Sequence, residues 1–213
     1  MERDAIPDRL IVFTRYPEPG KTKTRLIPSL GPRGAAELQR RMTEHTMARA
    51  RELRRIRPLH IEIRYDGGAE HLVRTWLGPG FSYQSQGGGD LGRRMAVAFR
   101  DAFLDGADRV VLVGTDCPDL TENHLGEAFD SLKKTDVVLG PARDGGYYLI
   151  GLRQARADLF LDMPWGTEKV LERTRQVAEG LGASVRLLEA LGDMDRPEDL
   201  IVWRQASQRE GKP

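Results

Sequence analysis

Short apolar runs alternate along the chain with longer stretches in which apolar residues recur every three or four positions. Apolar runs bounded by turn residues predict buried strands, and the longer repeat predicts helices with one buried face. The predicted strands cover residues 9–14, 59–65, 81–86, 109–114, 136–140, 147–152 and 184–188. The predicted helices cover residues 33–57, 68–77, 91–104, 122–133, 167–181 and 197–207, and a frayed tail is expected at 208–213.

Alternating strands and helices predict an α/β fold with a mostly parallel central sheet and helices on both faces. The sequence shows no internal repeat and no Pro/Gly/Ser-rich linker, so one domain over residues 1–213 is expected. In open α/β sheets ligands bind beyond the carboxyl ends of the strands. The loops that follow the buried strands are therefore the places to search for chemistry.

The composition is that of a globular protein and argues against some classes of partner and metal site, but it does not indicate a particular function. Hydrophobic residues make up 39% and charged residues 31% of the 213 positions, an ordinary globular balance, and the net charge is +1. This charge gives no support to a nucleic-acid or membrane partner. The single cysteine, Cys117, excludes an internal disulfide and a cysteine-cluster metal site.

The expected location is the cytoplasm. Residues 1–8 lack the apolar core of a secretory signal, and no apolar run approaches the roughly 20 residues of a membrane helix. A homodimer is expected only because dimers are the commonest oligomers.

The loop after the first strand combines cations with residues that control the backbone. Prolines stiffen it, and Gly20, which follows Pro19, lets backbone amides approach a ligand. The Walker A spacing is absent, so phosphate contact would come from side chains. A solvated basic loop is the alternative. The loop's cations are Arg15, Lys21, Lys23 and Arg25.

Asp116 follows the most apolar predicted strand, where the sheet opens to ligands. Carboxylates at this place suit a hard cation such as Mg²⁺ or Mn²⁺ that also bridges to phosphate. Asp119 or Thr121 has the simpler interpretation of capping the following helix. Asp193 and Asp195 alternate, and either could complete the metal site with Asp116. Asp195 could instead cap a helix that begins near Pro197.

Two further segments have a predicted ligand role. In the segment 143–148 (RDGGYY), the pair Gly145 and Gly146 permits close backbone approach to a substrate, and Tyr147 offers an aromatic face to a sugar. The segment 87–92 (GGGDLG) leads into a helix and could bind a nucleotide through its amides. The nucleotide-contacting residues predicted there are Gly89, Asp90, Leu91 and Gly92.

Arginines crowd the predicted helix 33–57, which raises the alternative of a nucleic-acid-binding module. Glutamates are interleaved with them, so a solvated helix face is favoured. Cys117 has no adjacent histidine to activate it, and packing is expected rather than catalysis.

These segments together resemble the nucleotide-diphospho-sugar transferase superfamily. The resemblance is to small bacterial members classed as glycosyltransferases and similar to the 2-phospholactate guanylyltransferases. It rests on segments in order along the chain: 13–26 (FTRYPEPGKTKTRL), Gln86 with 89–95 (GDLGRRM), 114–118 (GTDCP), 143–152 (RDGGYYLIGL) and 193–200 (DMDRPEDL). Departures are the Pro-x-Pro-Gly first loop and the replacement of a full Asp-x-Asp motif by Asp116-Cys117-Pro118.

The resemblance implies a three-layer α/β/α sandwich of the glycosyltransferase-A type. It implies that Asp116 is the metal-binding aspartate, with Asp193 or Asp195 as the second acid. It also implies that Lys23 and Arg25 lie near phosphates, and that Gln86 with Leu91 and Gly92 contacts the base.

Two reactions remain open at this point, each with a nucleotide donor and a small-molecule acceptor, and the usual classification of the resembled family slightly favours the first. One is glycosyl transfer from a nucleotide-sugar, for which Asp144 is the candidate base. The other is nucleotidyl transfer, in which an acceptor phosphate attacks the α-phosphorus of a triphosphate while Lys23 and Arg25 neutralise the leaving pyrophosphate.

Overall fold

The fold is a seven-stranded sheet between two layers of helices, seen in a computed structural model that describes residues 8–195 and residue 199. The strands are β1 Asp8–Arg15, β2 His60–Asp66, β3 Ser82–Ser85, β4 Arg109–Val113, β5 Val137–Pro141, β6 Tyr147–Leu152 and β7 Val185–Leu187. The helices are α1 Ile27–Ile56, α2 Glu70–Leu77, α3 Leu91–Leu104, α4 Glu122–Ser131 and α5 Val170–Gly180. Short 3-10 turns lie at Thr24–Leu26 and Ala157–Phe160.

The strand order is β3-β2-β1-β4-β6-β5-β7, and every pairing is parallel except those of β6. β6 runs antiparallel to both β4 and β5. Its first residues, rather than its last, therefore lie at the edge where β1 and β4 end. The predicted α/β class with a mostly parallel sheet is confirmed.

Two apolar cores cover the two faces of the sheet. One core packs α1, α2 and α4 against side chains such as Leu10 and Ile63, and the other packs α3 and α5 against side chains such as Ile11 and Leu112. This arrangement is the expected three-layer sandwich. None of the helices within residues 8–195 has the length and apolar character needed to cross a membrane.

The predicted start of the first helix at residue 33 was wrong. Helical structure already starts with the 3-10 turn, and α1 begins at Ile27 with Pro28 in its first turn. Gly31, at φ 69°, breaks the helix before Pro32 restarts it. Proline favours the first turn of a helix, so each of the two prolines begins a helical segment. The predicted helix at 197–207 and tail at 208–213 lie outside the described residues, apart from residue 199.

Most arginines in α1, and Arg57 just after it, have partners within the protein. Three pair with glutamates of the same helix, and others donate to loop carbonyls or to Asp8 at the start of β1. The pairs are Arg40 with Glu44, Arg41 with Glu37, Arg49 with Glu52, Arg51 with the Leu77 carbonyl, Arg54 with the Gly80 carbonyl, and Arg57 with Asp8. This pattern favours the solvated-face interpretation of the helix over a nucleic-acid surface.

Candidate active site

The carboxyl ends of β1, β2 and β4 bring the predicted ligand-binding segments to one edge of the sheet. Arg15 ends β1, Asp66 ends β2, and Asp116 follows β4 after two residues. The antiparallel β6 begins at this edge with Tyr147. The turn 143–146, which immediately precedes β6, therefore lies at the same edge.

Lys23 connects three of these segments. It has a left-handed backbone (φ 47°), and its side chain is only 3% exposed. Its ammonium lies 2.7 Å from a carboxylate oxygen of Asp116 and donates a hydrogen bond to the carbonyl of Met194. The Met194 N–H in turn donates to the Asp116 carbonyl at 2.8 Å. One buried cation thus holds the first loop, the β4 loop and the segment around Met194 together.

Arg25 and Asp195 form a second link between the first loop and this segment. Their side chains form an ion pair, with Arg25 65% exposed, so the pair contributes little to stability. The Asp195 N–H donates to the carboxylate of Asp199 at 3.0 Å. The two acids that the sequence left equivalent are therefore distinct, because Asp195 already has a cationic partner.

Asp193 lies in a negatively charged environment. Burial raises its pKa most, and the carboxylates of Asp144, Asp199 and Asp195 raise it further. Asp116, by contrast, has half of its side chain exposed. Among residues 8–195 and 199, no three carboxylate, histidine or cysteine side chains are close enough to form a metal site by themselves.

The tip of the first loop is a tight turn. The Lys21 N–H donates to the Glu18 carbonyl at 3.1 Å, and Gly20 has φ 84°. Proline followed by a positive-φ glycine is the pattern of a type II turn. Pro19 and Gly20 are exposed at this tip, and the Lys21 side chain extends into solvent beside Glu18. The contact of Pro19 and Gly20 with a nucleotide stays a prediction.

Asp66 was missed in the sequence analysis and forms the centre of an ion-pair network. Arg15 donates two hydrogen bonds to one Asp66 oxygen at 3.1 and 2.8 Å, and Arg94 lies 3.3 Å from the same oxygen. Burial alone would raise the pKa of Asp66, but the hydrogen bonds and charges of the two arginines outweigh it and lower the pKa. An aspartate ending a strand of an α/β sheet was the available signal.

Gln86 is 8% exposed, and its side chain is already engaged by the protein. Its amide nitrogen donates to the carbonyls of Thr14 and Arg64 at 3.0 and 3.1 Å, and its oxygen accepts from Arg94 at 3.4 Å. The Gln86 amide therefore links the ends of the neighbouring strands β1 and β2 through both of its hydrogens. Contact between Gln86 and a base stays a prediction, and would require one of these bonds to be exchanged.

Three residues of the segment 87–92 have structural roles that do not require a ligand. Asp90 caps α3 by accepting a hydrogen bond from the Arg93 N–H at 2.8 Å. A methyl group on Gly92 would lie 2.5 Å from the Phe160 carbonyl oxygen. Gly89 has φ 100°, a backbone conformation that favours glycine. Leu91 is 46% exposed and available to a ligand.

The glycine pair after Asp144 makes a turn that packs against the segment before α5. The Gly146 N–H donates to the Asp144 carboxylate at 2.9 Å. Gly145 has φ 90°, and a methyl group there would lie 2.2 Å from the Glu168 carbonyl oxygen. The close backbone approach expected for a substrate is thus made at Gly145 by the protein itself. Asp144 is exposed at this turn.

Tyr147 and Cys117 are directed into the protein. The Tyr147 ring packs edge-on against Trp165 with centroids 6.4 Å apart, and its hydroxyl is buried. Burial raises the pKa of the Tyr147 phenol. Cys117 is buried, and burial followed by the charge of Asp116 raises the pKa of its thiol. Neither group has the exposure or the acidity that nucleophilic chemistry requires.

Known proteins share both the sequence and the fold. The profile of a family described as "Uncharacterized protein conserved in bacteria (DUF2064)" matches residues 47–167, more than half of the 213 residues. A Desulfovibrio desulfuricans G20 protein, whose crystal structure carries the provisional name nucleotide-diphospho-sugar transferase, is 35% identical. It superposes with a TM-score of 0.88 over 96% of this chain and 89% of that one.

Two further proteins resemble the chain over part of its length or in fold alone. A 2-phospho-L-lactate guanylyltransferase from Methanopyrus kandleri is 34% identical over 102 residues, which are 46% of this chain and 52% of that protein. The chain thus matches about half the length of this curated relative. The 4-diphosphocytidyl-2C-methyl-D-erythritol synthase of Anaerococcus prevotii has a TM-score of 0.63 at 12% identity, covering 96% of this chain and 100% of that one. Its likeness shows the fold alone.

The family match and the 35% identical structure agree with the motifs that run through the sequence. The protein therefore belongs to the DUF2064 family and, with its relatives, to the nucleotide-diphospho-sugar transferase superfamily of nucleotide-utilising transferases.

Proposed function

We propose that this protein is a metal-dependent nucleotidyltransferase that couples a nucleoside triphosphate to a small phosphorylated acceptor. The observation that carries the proposal is the pairing of first-loop cations with acids at the carboxyl edge of the sheet. Lys23 pairs with Asp116, and Arg25 pairs with Asp195. A triphosphate requires several positive charges, and the two pairs place first-loop cations beside acids of which one, Asp116, suits a hard metal ion.

The reaction requires alignment and charge neutralisation more than a protein nucleophile. An oxygen of the acceptor phosphate attacks the α-phosphorus, the bond from that phosphorus to the bridging oxygen breaks, and pyrophosphate leaves with the electron pair. In the proposed complex, Lys23 and Arg25 exchange part of their contact with the acids for contact with phosphate oxygens. Fixed cations directed at the departing charge lower the barrier, because they need little reorganisation during the reaction.

The acids fit a magnesium or manganese ion. Asp116 and Asp193 are the proposed ligands. Asp116 pairs with Lys23 but keeps half of its side chain exposed, and Asp193 lies among carboxylates whose repulsion a cation would relieve, whereas Asp195 is less exposed and is paired with Arg25. Two carboxylates suffice, because Mg²⁺ in nucleotide sites is commonly held by one or two carboxylates with phosphates and water. When bound, such an ion neutralises phosphate charge and orients the reacting groups.

The curated relative supports nucleotidyl transfer, since its name is that of a guanylyltransferase. The second candidate is glycosyl transfer from a nucleotide-diphospho-sugar, with Asp144 as base. The provisional name of the 35% identical structure and the exposure of Asp144 at the same edge favour it.

The test is a thermal-shift screen with nucleoside triphosphates and nucleotide-sugars, each with Mg²⁺ or with EDTA. We expect a Mg²⁺-dependent stabilisation by a triphosphate that is lost in Asp116→Asn. Asp119→Asn is the matched control, because Asp119 lies three residues further along the same loop and is exposed.

The product then separates the two reactions. Pyrophosphate release from the stabilising triphosphate supports nucleotidyl transfer, and release of a nucleoside diphosphate from a nucleotide-sugar supports glycosyl transfer. A wild-type protein that responds to neither ligand class, or an Asp116→Asn variant that responds like Asp119→Asn, would overturn the proposed site.

A further inference from the structure

An apolar pocket of about 190 Å³ lies beside the turn 143–146. It continues the core between the sheet and α3 to the carboxyl edge, where Phe13 of β1 and Leu112 of β4 contribute to its wall. Most of the lining side chains are aliphatic or aromatic. They belong to Phe13, Leu91, Met95, Leu112, Tyr147, Tyr148, Ile150, Trp165 and Val170.

The polar lining of the pocket is sparse. Asp144 and Thr167 supply its polar side chains, and Gly114, Gly146 and Gly166 supply backbone. One oxygen of Asp144 already accepts the Gly146 N–H, the Tyr148 hydroxyl donates to the Glu189 carbonyl, and the Tyr147 hydroxyl is buried. A sugar ring seated here would bury several hydroxyl groups without partners. A buried hydroxyl without a hydrogen-bond partner weakens binding.

The pocket also adjoins the proposed reaction centre. Asp144, the candidate acid of the turn 143–146, lines it. Gly114, two residues before Asp116, forms part of the lining. A molecule in the pocket would present its polar end to the acids and to the cations of the first loop.

We propose that the pocket binds the organic part of the acceptor, and that this acceptor is a phosphomonoester of a compact hydrocarbon group rather than a sugar phosphate. The inference rests on the proposed nucleotidyl transfer. Apolar walls select apolar ligand surface, since water is displaced from both. The volume suits a group of about the size of a six-membered ring, because an apolar cavity of roughly 150 Å³ accepts benzene.

Trp165 provides a reporter inside the pocket. The chain contains three tryptophans, so protein labelled with 5-fluorotryptophan gives few ¹⁹F NMR signals, and Trp165→Phe assigns the relevant one. The probes are isobutyl phosphate, cyclohexyl phosphate and glucose 1-phosphate, each titrated with Mg²⁺ present. We expect the alkyl phosphates to shift the Trp165 signal saturably and glucose 1-phosphate to bind at least about tenfold more weakly.

Two substitutions at Val170 test the pocket from one position. Val170→Phe should fill it and weaken alkyl phosphate binding about tenfold or more, whereas Val170→Ala should enlarge it and favour the cyclohexyl over the isobutyl probe. Val177→Phe is the matched control, because Val177 lies on the same helix and packs against the core without lining the pocket.

The outcomes separate this inference from the proposed function. If Val170→Phe retains the triphosphate thermal shift and loses the alkyl probes, the inference is supported. If glucose 1-phosphate shifts Trp165 as strongly as the alkyl phosphates, or Val170→Phe binds them like Val177→Phe, it is overturned. Absence of any triphosphate response in wild type overturns the proposed function, while the Trp165 titration still decides what the pocket binds.

Discussion

Replacing Lys23 with methionine should destabilise the protein and remove its metal-dependent response to triphosphate. Methionine keeps an unbranched side chain but lacks the charge and the hydrogen-bond donors of lysine. In the native protein the Lys23 side chain is 3% exposed, and its ammonium lies 2.7 Å from Asp116 and donates to the Met194 carbonyl. The substitution therefore detaches the first loop from the β4 loop and from the segment around Met194.

The expected decrease in the free energy of unfolding is about 1–3 kcal/mol. Loss of a charge-assisted hydrogen bond to the Met194 carbonyl accounts for about 1.5–3 kcal/mol. The ion pair adds only about 0.2–1 kcal/mol, because Asp116 is half exposed and water solvates its carboxylate. Removing the desolvation penalty of the buried ammonium offsets part of the loss. For a chain of this size the melting temperature should fall by about 2–12 °C.

Urea denaturation of wild type, Lys23→Met and Lys21→Met measures this effect. Lys21 is the control, because its side chain is 70% exposed and pairs only with Glu18, and its substitution should change stability by less than about 0.5 kcal/mol. Equal midpoints for the two variants would refute the argument that Lys23 holds the three segments together. The double variant Lys23→Met/Asp116→Asn should lose less stability than the sum of the single variants, since both remove the same ion pair.

Three further predictions concern other parts of the site. The pKa of Asp66 is lowered in the folded protein, so its contribution to stability is present above the ordinary aspartate pKa of 3.8 and is lost as pH falls through the folded-state pKa. Asp66→Asn should therefore lower the melting temperature at pH 7, and this effect should diminish below pH 3.8. Gly145→Ala should lower the free energy of unfolding, measured by chemical denaturation, by about 2–4 kcal/mol, because its methyl group would meet the Glu168 backbone at 2.2 Å. Gly166→Ala is also at positive φ but in open space, so it should lower the free energy of unfolding by only about 1 kcal/mol. Equal losses would contradict the steric explanation. Cys117 should react with a thiol reagent at pH 8 only after unfolding, because burial raises its pKa, and rapid modification of the native protein would contradict its assignment as a packing residue.

Local signals in the sequence located most of the elements around the site. The predicted bounds of α3 and β6 match the structure, because capping residues, glycines and uninterrupted apolar or amphipathic runs mark their ends. The position of Asp116 directly beyond a buried strand could also be predicted, since it follows from strand burial and the parallel sheet.

The contacts that distinguish the candidate ligands could not be predicted. Asp193 and Asp195 could not be distinguished from the sequence. Only the fold pairs Arg25 with Asp195 and brings Asp193 under the influence of Asp144. Gln86 has the residue type of a base-contacting amide, yet its partners are carbonyls 72 and 22 residues away. Such pairings depend on which strands become neighbours, and local composition carries no information about them.

The sequence by itself determined the α/β class, the alternation of elements and the clustering of cations in the first loop, because these depend on residue type and short-range spacing. Only the tertiary structure decided that β6 runs antiparallel, that Lys23 is buried against Asp116, and that an apolar pocket opens beside Asp144. These features arise from contacts between residues far apart in the chain, and they form only when the sheet and both helical layers are packed together.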